Sequence, residues 1–328
     1  MSTEVSIGRA IQRWFVAEQS DAPTLPASAV NGALDGPLDG RRAGATTLEG
    51  LDWWRIVPFV ALHLGCLGVL WVGVSPVAVV VAILSYLFRM FAITAFYHRY
   101  FSHKSFSTGR LTQFLFAVLG AASTQRGPLW WAAHHRNHHR YADTPQDPHR
   151  PDDGLFWSHM GWFLSGRHFG TDLSRVRDWV RFPELLWLDR VDTLVPVVYA
   201  ATLFGLGEWL AVTMPELQTS GLQMLVWGYV VSTVALIHAT LLVNSLAHRW
   251  GWRRYQSQDD SRNTLLIALL TLGEGWHNNH HRYAGSARQG FYWWQVDVSY
   301  YLLRLLAAFG LVWDLKKVPS AVLEEGRR

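Results

Sequence analysis

Four long apolar stretches alternate with polar segments along the chain. Each stretch approaches the roughly 20 apolar residues that a helix needs to cross the hydrocarbon core of a bilayer. We therefore predict membrane-spanning helices over residues 56–74, 76–97, 193–212 and 222–244. The connections within the first pair and within the second pair are short, which predicts two helical hairpins.

The distribution of lysine and arginine predicts how these hairpins are oriented in the membrane. They are absent from the turns around Ser75 and from Thr213 to Gly221, whereas the segment between the hairpins contains many of them. Because cytoplasmic loops carry the excess of positive charge, the middle segment and both termini are expected on the cytoplasmic side. The predicted fold class is an all-α integral membrane protein, with four transmembrane helices in two hairpins and a cytoplasmic helical cap.

The remaining segments predict shorter elements. Residues 111–134 are apolar but interrupted, which predicts a helix at the interface or in the cytoplasmic portion, and residues 299–313 predict an interfacial helix too short to span. We place one domain at residues 49–315, with tails at 1–48 and 316–328. The N-terminal tail is expected to begin with a short amphipathic helix and to continue as a disordered stretch. It contains no apolar run with a cleavage site, so no signal peptide is predicted.

Composition narrows the class of protein. Half of the 328 residues are apolar and 16% are charged, which is typical of a membrane protein, yet the mean hydropathy of +0.07 means that much of the chain faces water. The single cysteine, Cys66, excludes a disulfide framework and a thiolate metal site, and we expect it to serve packing. The basic residues are scattered along the chain. They favour an anionic lipid surface or substrate over nucleic acid as the partner.

Histidines are concentrated in four motifs: HRYFSH (98–103), HHRNHH (134–139), NSLAH (244–248) and HNNHH (277–281). On a helix, positions i, i+3 and i+4 lie within about 100° of the circumference, so rings from HHRNHH converge, as do rings from HNNHH. Neutral imidazoles are good ligands for divalent first-row metals, and about nine of them suit two ions. His134 lies at the edge of its face, so we expect it to pair with a neighbouring group or to face solvent. Lone histidines such as His63 and His168 are expected to be ordinary packing residues.

His98 and His103 do not fit the same spacing. Five residues correspond to about 140° around an α-helix, so both rings cannot point the same way from an intact one. Either the helix ends inside the motif, or the two rings serve different ions. The carboxylates near the motifs are expected to accept the outer N–H groups of the imidazoles, or to cap local turns. They are Asp143, Asp147, Glu274 and Asp297.

The motifs together resemble a known family. HRYFSH, HRNHH and HNNHH are similar to the three histidine boxes of the integral-membrane fatty acid desaturases. DPH (147–149), FWSHMGW (156–162), VNSLAH (243–248) and GEGWHNNHH (273–281) resemble the stearoyl-CoA (Δ9 acyl) desaturase branch, here of a bacterial type. The resemblance covers about residues 50–315.

The resemblance implies the ligands of a metal centre and the walls of a substrate tunnel. Asn244 would bind through a water, while His134, His149 and His159 lie outside the ligand set. Gln125, Trp131 and Thr240 match positions that kink the acyl tunnel. Two iron ions would be held by His98, His103, His135, His138, His139, His248, His277, His280 and His281.

The resemblance also implies the reaction, which is O₂-dependent introduction of a cis double bond, at Δ9, into a saturated acyl chain. No side-chain acid or base removes hydrogen from unactivated methylenes, whereas non-haem iron with O₂ does. Electrons are expected from a separate ferredoxin, rubredoxin or cytochrome b5 with its reductase. The expected location is the bacterial inner membrane.

The carrier of the acyl chain is less closely defined. Animal acyl-CoA enzymes have a basic-acidic pair before HRxHH, where this chain has Ala133 and His134. Acyl-CoA is the expected substrate, with acyl carrier protein and lipid-linked chains as alternatives. Arg126 would meet an anionic headgroup or a bilayer phosphate, and Arg89, inside the second span, would pair within the protein or reach the interface.

Two other activities are compatible with such motifs. The same histidine boxes serve membrane hydroxylases and ketolases, which differ in their products. A metal transporter would also use imidazoles, but its ligands should lie near mid-membrane within the spans. Here the histidine motifs lie at or beyond the ends of the predicted spans.

Overall fold

The computed structural model describes residues 16–19 and 51–327. The predicted amphipathic helix and most of the predicted N-terminal tail lie outside these residues. The α-helices are Trp53–Gly65, Val69–Val72, Pro76–Phe91, Arg110–Ala121, Pro128–Tyr141, Trp162–Leu164, Arg177–Val180, Pro183–Arg190, Leu194–Thr213, Gly221–Met224, Ser232–Ser245, Leu265–Leu270, His277–Arg282, Val298–Ala308 and Ser320–Glu325.

Other helical turns extend or connect these helices. The π-helical segments are Ala92–Ser102, Trp157–Gly161 and Leu225–Val231. The 3₁₀ segments are Cys66–Gly68, Pro151–Asp153, Gly166–His168, Leu173–Val176, Pro215–Leu217 and Leu246–His248. The strands Ser107–Thr108 and Val312–Trp313 pair antiparallel.

Within residues 51–327, three continuous helical stretches are long and apolar enough to cross a membrane. They are Pro76–Ser102, Leu194–Thr213 and Gly221–His248, with 27, 20 and 28 residues. They cover the second, third and fourth predicted spans, so the chain associates with membranes. The first predicted span, residues 56–74, corresponds to the shorter apolar helix Ile56–Val72, which contains a 3₁₀ turn.

Residues 111–134, which the sequence predicts as one helix, form parts of two. The helix Arg110–Ala121 ends, and Thr124 and Arg126 take left-handed φ angles of 60° and 70°. A second helix then begins at Pro128. Its first turn is fixed from elsewhere in the chain, since Asp189 Oδ1 accepts the backbone N–H groups of Leu129 and Trp130 at 3.0 and 2.8 Å. No local sequence pattern indicates this distant carboxylate.

The ends of the domain also differ in detail from the prediction. The predicted interfacial helix stops at Ala308, and the chain turns at Gly310, with φ of 69°, into the strand Val312–Trp313. The helix Ser320–Glu325 lies in the predicted C-terminal tail, and its Val322 packs against Tyr255 and Tyr292. The domain limits remain predictions.

Arg89 pairs inside the protein. Its side chain is fully buried in the stretch Pro76–Ser102. Its guanidinium donates to the carbonyls of Ser85 and Ala122 at 3.0 and 3.1 Å, and to the hydroxyls of Ser232 and Thr233 at 2.5 and 2.6 Å. These bonds supply the polar partners that an intramembrane cation requires, and they join two of the long helices.

The buried core lies between the long helices and the histidine-bearing elements. Phe96 stacks on Phe116 with ring centroids 3.8 Å apart, and Tyr97 donates to the carbonyl of Ala117. The same apolar cluster contains Leu129, at the start of the helix Pro128–Tyr141. Packing thus fixes the π-helical segment and this helix against each other, which positions the histidines that they carry.

Candidate metal centre

Nine histidines form two adjacent clusters. In each cluster the rings bring one nitrogen apiece to within 4.8 Å of one another. The first cluster consists of His98, His103, His135, His139 and His280. The second consists of His138, His248, His277 and His281. These are the nine histidines that the sequence motifs predict as ligands.

Two short helices each supply both clusters. The helix Pro128–Tyr141 directs His135 and His139 to the first cluster and His138 to the second. The helix His277–Arg282 directs His280 to the first cluster, and its other two histidines to the second. The i, i+3, i+4 spacing therefore places the rings on one side of each helix. Adjacent histidines, such as His138 and His139, then belong to different clusters.

A π-helix explains how His98 and His103 meet. The segment Ala92–Ser102 is π-helical, and its i→i+5 hydrogen bonds bring residues five apart to the same side. The helix does end inside the motif, at Ser102, but it is the π-helical turn that aligns the rings. Their centroids are 5.0 Å apart and both belong to the first cluster, which favours a shared ion over the alternative that they serve different ions.

The spacing of the inner nitrogens fits one metal ion per cluster. Imidazole nitrogens bind zinc, for example, at about 2.0–2.1 Å, so two such ligands at right angles on one ion are about 3 Å apart. The Nε2–Nε2 distances are 3.0 Å for His98–His280, 2.8 Å for His103–His135, 2.9 Å for His139–His280, 3.0 Å for His248–His277 and 3.4 Å for His138–His281. The residues present therefore fit two first-row metal ions with nitrogen ligands.

Carboxylates orient three of the four rings in the second cluster. The Nδ1 atoms of these rings lie 2.8–3.1 Å from aspartate oxygens. An Nδ1–H that donates to a carboxylate leaves Nε2 free to bind a metal. The pairs are His138–Asp147, His248–Asp143 and His281–Asp259. Asp143 and Asp147 were expected near the rings, whereas Asp259 lies in a polar loop without helical spacing and was missed.

The first cluster has a different support. Glu274 pairs with Nδ1 of His98, as expected. Its other oxygen lies 3.0 Å from a terminal nitrogen of Arg99, whose second terminal nitrogen lies 2.9 Å from Asp297. Asp297 contacts Arg99 rather than an imidazole, and its Oδ1 accepts the N–H of Tyr300 at the start of the helix Val298–Ala308, so it follows the capping alternative. The side chains of His98, Arg99, Glu274 and Asp297 are all buried.

Burial keeps most of the rings neutral. It lowers the pKa of five of them well below the ordinary histidine value, and repulsion from neighbouring rings lowers it further. These rings are His103, His135, His139, His277 and His280. For Asp147, burial favours the neutral form, but His138 and His149 outweigh it and the pKa falls below its usual range. Neutral rings and charged carboxylates are the states that metal binding requires.

A cavity leads to the clusters. This outer cavity, of about 230 Å³, has Gln125, Trp131 and Thr240 in its wall, and it reaches His135 and Asn244. The Gln125 side chain donates to Thr240 Oγ1 at 3.1 Å. The structure thus places the three predicted tunnel residues in the wall of one cavity, together with Asn244 and the clustered His135.

A smaller inner cavity, of about 30 Å³, adjoins the outer one. Both cavities are lined by Trp131, His135, Thr240 and Asn244. The inner cavity also touches histidines of both clusters, His98 in the first, and His138 and His277 in the second. A chain that passed Trp131 would therefore reach both clusters at once.

Arg126 lies in the wall of the outer cavity with its charge compensated. Its Nε lies 2.9 Å from Asp192, which lines the same cavity. The guanidinium stacks over Trp130 and Phe169, at 5.4 and 5.2 Å from the ring centres. The expected contact with an anionic headgroup would have to compete with this ion pair.

His134 and His149 belong to neither of the two histidine clusters. His134 Nδ1 bonds to the carbonyl of Trp130 at 3.0 Å, and its ring packs against Trp162. The His149 ring packs on His138, with centroids 4.2 Å apart. Both residues line the outer cavity. His134 thus pairs with a neighbouring group, as one of its expected alternatives stated.

Three further histidines form a hydrogen-bonded chain along the apolar helices. His63 Nδ1 lies 2.7 Å from the carbonyl of Phe59, and His63 Nε2 lies 2.9 Å from Nε2 of His238. His238 Nδ1 lies 3.0 Å from Nε2 of His159, whose Nδ1 lies 2.9 Å from the hydroxyl of Ser245. No sequence pattern predicts this hydrogen-bonded chain, because its histidines come from three separate segments.

Comparisons with known proteins agree with this geometry. Residues 74–309 match the family model "Fatty acid desaturase". The chain is 37% identical over 238 residues to a probable lipid desaturase, ADS3.2, chloroplastic, of Arabidopsis thaliana, covering 72% of this chain and 62% of that protein. It is 37% identical over 236 residues to an acyl-CoA 5-desaturase, AL21, of Anemone leveillei, covering 71% and 69%. It is 34% identical over 276 residues to an sn-2 palmitoyl-lipid 9-desaturase of Nostoc sp. (strain 36), covering 83% and 91%. The chain belongs to the fatty acid desaturase family, whose members are oxidoreductases of lipid metabolism.

Proposed function

We propose that the protein is an O₂-dependent desaturase that introduces a cis double bond, at Δ9, into a saturated fatty acyl chain. The observation that carries this proposal is the inner cavity, which touches histidines of both clusters and adjoins an apolar outer cavity. An acyl chain in these cavities would present a methylene pair to both metal positions. The relative from Nostoc, a 9-desaturase, supports the position of the bond.

The nine clustered histidines would hold two iron ions, with Asn244 bound through a water. Bound iron supplies the activation of O₂, in a reaction that consumes two electrons and two protons, removes two substrate hydrogens and releases two waters. The protein's own task is to position the chain. Asp143, Asp147, Asp259 and Glu274 hold their imidazoles with Nδ1–H outward and Nε2 inward.

Three residues would bend the substrate at the reacting carbons. Trp131 and Thr240 line both cavities, and Gln125, which bonds to Thr240, lines the outer one beside them. Trp131 stacks on the ligand His135, with centroids 5.0 Å apart. A saturated chain that turns at this point has the eclipsed geometry of a cis product, so binding energy along the chain would favour that isomer.

The membrane arrangement completes the proposal. Four spans in two hairpins, with Ile56–Val72 as the shortest, would place the clusters in a cytoplasmic helical cap at a bacterial inner membrane, with both termini cytoplasmic. A separate ferredoxin, rubredoxin or cytochrome b5 with its reductase would deliver electrons there. Isolation of the protein with a coupled donor from its native membrane would test this partner.

For the carrier, we propose a lipid-linked acyl chain ahead of acyl-CoA or acyl carrier protein. Arg126 is the single arginine or lysine among the described residues of the outer cavity wall, and Asp192 already pairs with it. A phosphate-rich carrier would find no free cation on this wall. The lipid desaturases from Arabidopsis and Nostoc provide precedents for a lipid carrier, and the Anemone enzyme for acyl-CoA.

The experiment is expression in a host that makes no monounsaturated fatty acids, followed by mass spectrometry with double-bond localisation. Wild-type protein is expected to produce cis-9 monoenes. His138→Ala removes a ring that only the second cluster uses, and is expected to reduce monoenes by at least about 100-fold at equal protein level. His168→Gln is the matched control, because His168 belongs to neither cluster.

Three results would contradict the proposal. Unchanged monoene output in His138→Ala would rule out the ligand assignment. Hydroxylated products in the wild type would identify a hydroxylase instead. Metal accumulation in cells without any lipid product would identify a transporter.

A further inference from the structure

A short N-terminal segment, Val16–Gln19, is bound to the domain beside the outer cavity. The Ala17 N–H donates to the carbonyl of Arg190 at 2.8 Å, and the Thr171 N–H donates to the carbonyl of Glu18 at 2.9 Å. Gln19 forms a parallel bridge with Thr171. These backbone contacts hold the segment in one defined path.

The Gln19 side chain provides a second anchor. Its amide donates to the carbonyl of Leu186 at 3.1 Å and to Asp189 Oδ2 at 3.3 Å. Asp189 is fully buried, and it also accepts the first N–H groups of the ligand-bearing helix Pro128–Tyr141. The Asp189 carboxylate therefore connects the segment to a helix that carries histidines of both clusters.

Ala17 faces the polar end of the outer cavity. It is 9% exposed and lines the cavity together with Arg126, Phe169 and Asp192. Its backbone partner Arg190 lies two residues before Asp192, so these residues occupy the same end. At this end, the cavity wall is incomplete without the segment.

We propose that Val16–Gln19 act as a strap that closes the polar end of the outer cavity and so excludes bulky, charged acyl carriers. The strap adds backbone and the Ala17 methyl group at the point where a carrier would leave the cavity. The nearby cation, Arg126, is already paired with Asp192. Lipid-linked chains would instead enter between the first apolar helix and Gly221–His248, past Phe59 and Leu241, which also line the cavity. This inference rests on the proposed function and specifies its substrate class.

The test loosens the strap without touching the metal centre. Gln19→Ala removes both side-chain hydrogen bonds and leaves the backbone contacts, and Gln256→Ala, at an exposed position, is the matched control. The probe is a fluorescent stearoyl-CoA analogue, whose binding to purified protein in lipid nanodiscs needs no turnover. We expect Gln19→Ala to bind the probe at least about fivefold more tightly than wild type, because two hydrogen bonds no longer hold the strap closed.

A second variant fills the same space. Added to Gln19→Ala, Ala17→Trp is expected to return the probe affinity to about the wild-type value, because the indole occupies the end that the loosened strap leaves open. Ala201→Trp makes the same substitution at an exposed position on Leu194–Thr213. If Ala17→Trp lowers protein yield, Ala17→Leu is the smaller alternative.

The outcomes separate this inference from the proposed function. Equal probe affinity in wild type and Gln19→Ala would overturn the strap, as would unchanged tight probe binding when Ala17→Trp is added to Gln19→Ala. Tight probe binding by wild type would also overturn it. Absence of any monoene in wild type would overturn the proposed function, while the binding comparison would still decide on the strap.

Discussion

Asp259 provides the sharpest test of how the second cluster binds metal. It accepts from Nδ1 of His281 at 2.8 Å, and its other oxygen accepts the Ser261 N–H at 3.0 Å. Burial favours the neutral acid, but His281 outweighs it and lowers the pKa below the usual range, so the group is charged at neutral pH. Asp259→Asn removes this charge and keeps the shape of the side chain.

The size of the effect follows from the bond that changes. Hydrogen bonds to charged groups contribute about 1.5–3 kcal/mol, and neutral ones about 0.5–1.5 kcal/mol. If the amide oxygen still accepts from His281, the loss is about 1–1.5 kcal/mol, or roughly tenfold in metal affinity. Asp259→Ala loses the whole bond, and is expected to weaken binding on the order of 10–100-fold.

The assay is removal of iron by a competing chelator, with metal content measured at each chelator concentration. Wild type is expected to lose its iron at high chelator concentration. Asp259→Asn is expected to lose about half of its iron at roughly tenfold lower concentration, because the first cluster keeps its support from Glu274. Asp260→Asn is the control, since the Asp260 side chain is 65% exposed and pairs with Arg253.

Two results would refute the reasoning about Asp259. Equal chelator sensitivity of Asp259→Asn and Asp260→Asn would mean that the carboxylate does not tune the ring. Loss of all iron in one step would mean that the two clusters are not separate binding positions.

Two further predictions concern the start of the ligand-bearing helix. Burial, together with repulsion from Asp192, raises the pKa of Asp189 to about 6, so its stabilising contribution is complete below about pH 4 and is lost as the pH rises through 6. The measured quantity is the unfolding free energy of wild type minus that of Asp189→Asn, from denaturant titration in detergent. This difference should fall by up to about 3 kcal/mol between pH 4 and 7. A difference that does not change with pH would contradict the prediction. Gly127→Ala would place its Cβ 2.4 Å from Asp189 Oδ1 and 2.6 Å from Asp189 Cα, whereas Gly205→Ala meets nothing within 4 Å. The melting temperature should fall by several degrees in the first variant and stay unchanged in the second, and equal values would refute the proposed close contact.

The sequence predicted those features that depend on local spacing. The three helical stretches that can span the bilayer follow from apolar runs, and the convergence of His135, His138 and His139 follows from helical periodicity. The di-metal ligands as a whole remain predictions, but the structure brings all nine rings together.

Other features depend on contacts that no local pattern encodes. The π-helical turn that aligns His98 with His103 changes the number of residues per turn, which helical spacing assumes to be constant. The break before Pro128 is stabilised by Asp189, about 60 residues later in the chain. Asp259 reaches His281 from a loop, so neither its spacing nor its neighbours distinguish it from a solvated acid.

The histidine chain beside the apolar helices has a fixed direction. The carbonyl of Phe59 can only accept, so His63 must donate from Nδ1 and accept at Nε2. His238 then donates from Nε2 and accepts at Nδ1, and His159 donates from Nε2. Each neutral ring then donates its single N–H proton, so Nδ1 of His159 can only accept. The hydroxyl of Ser245 must therefore donate to His159 Nδ1, and not to the carbonyl of Leu241, which lies 2.9 Å away. The carbonyl of Phe59 thus sets the tautomers of three rings in separate segments, and with them the direction of the Ser245 hydroxyl next to Asn244.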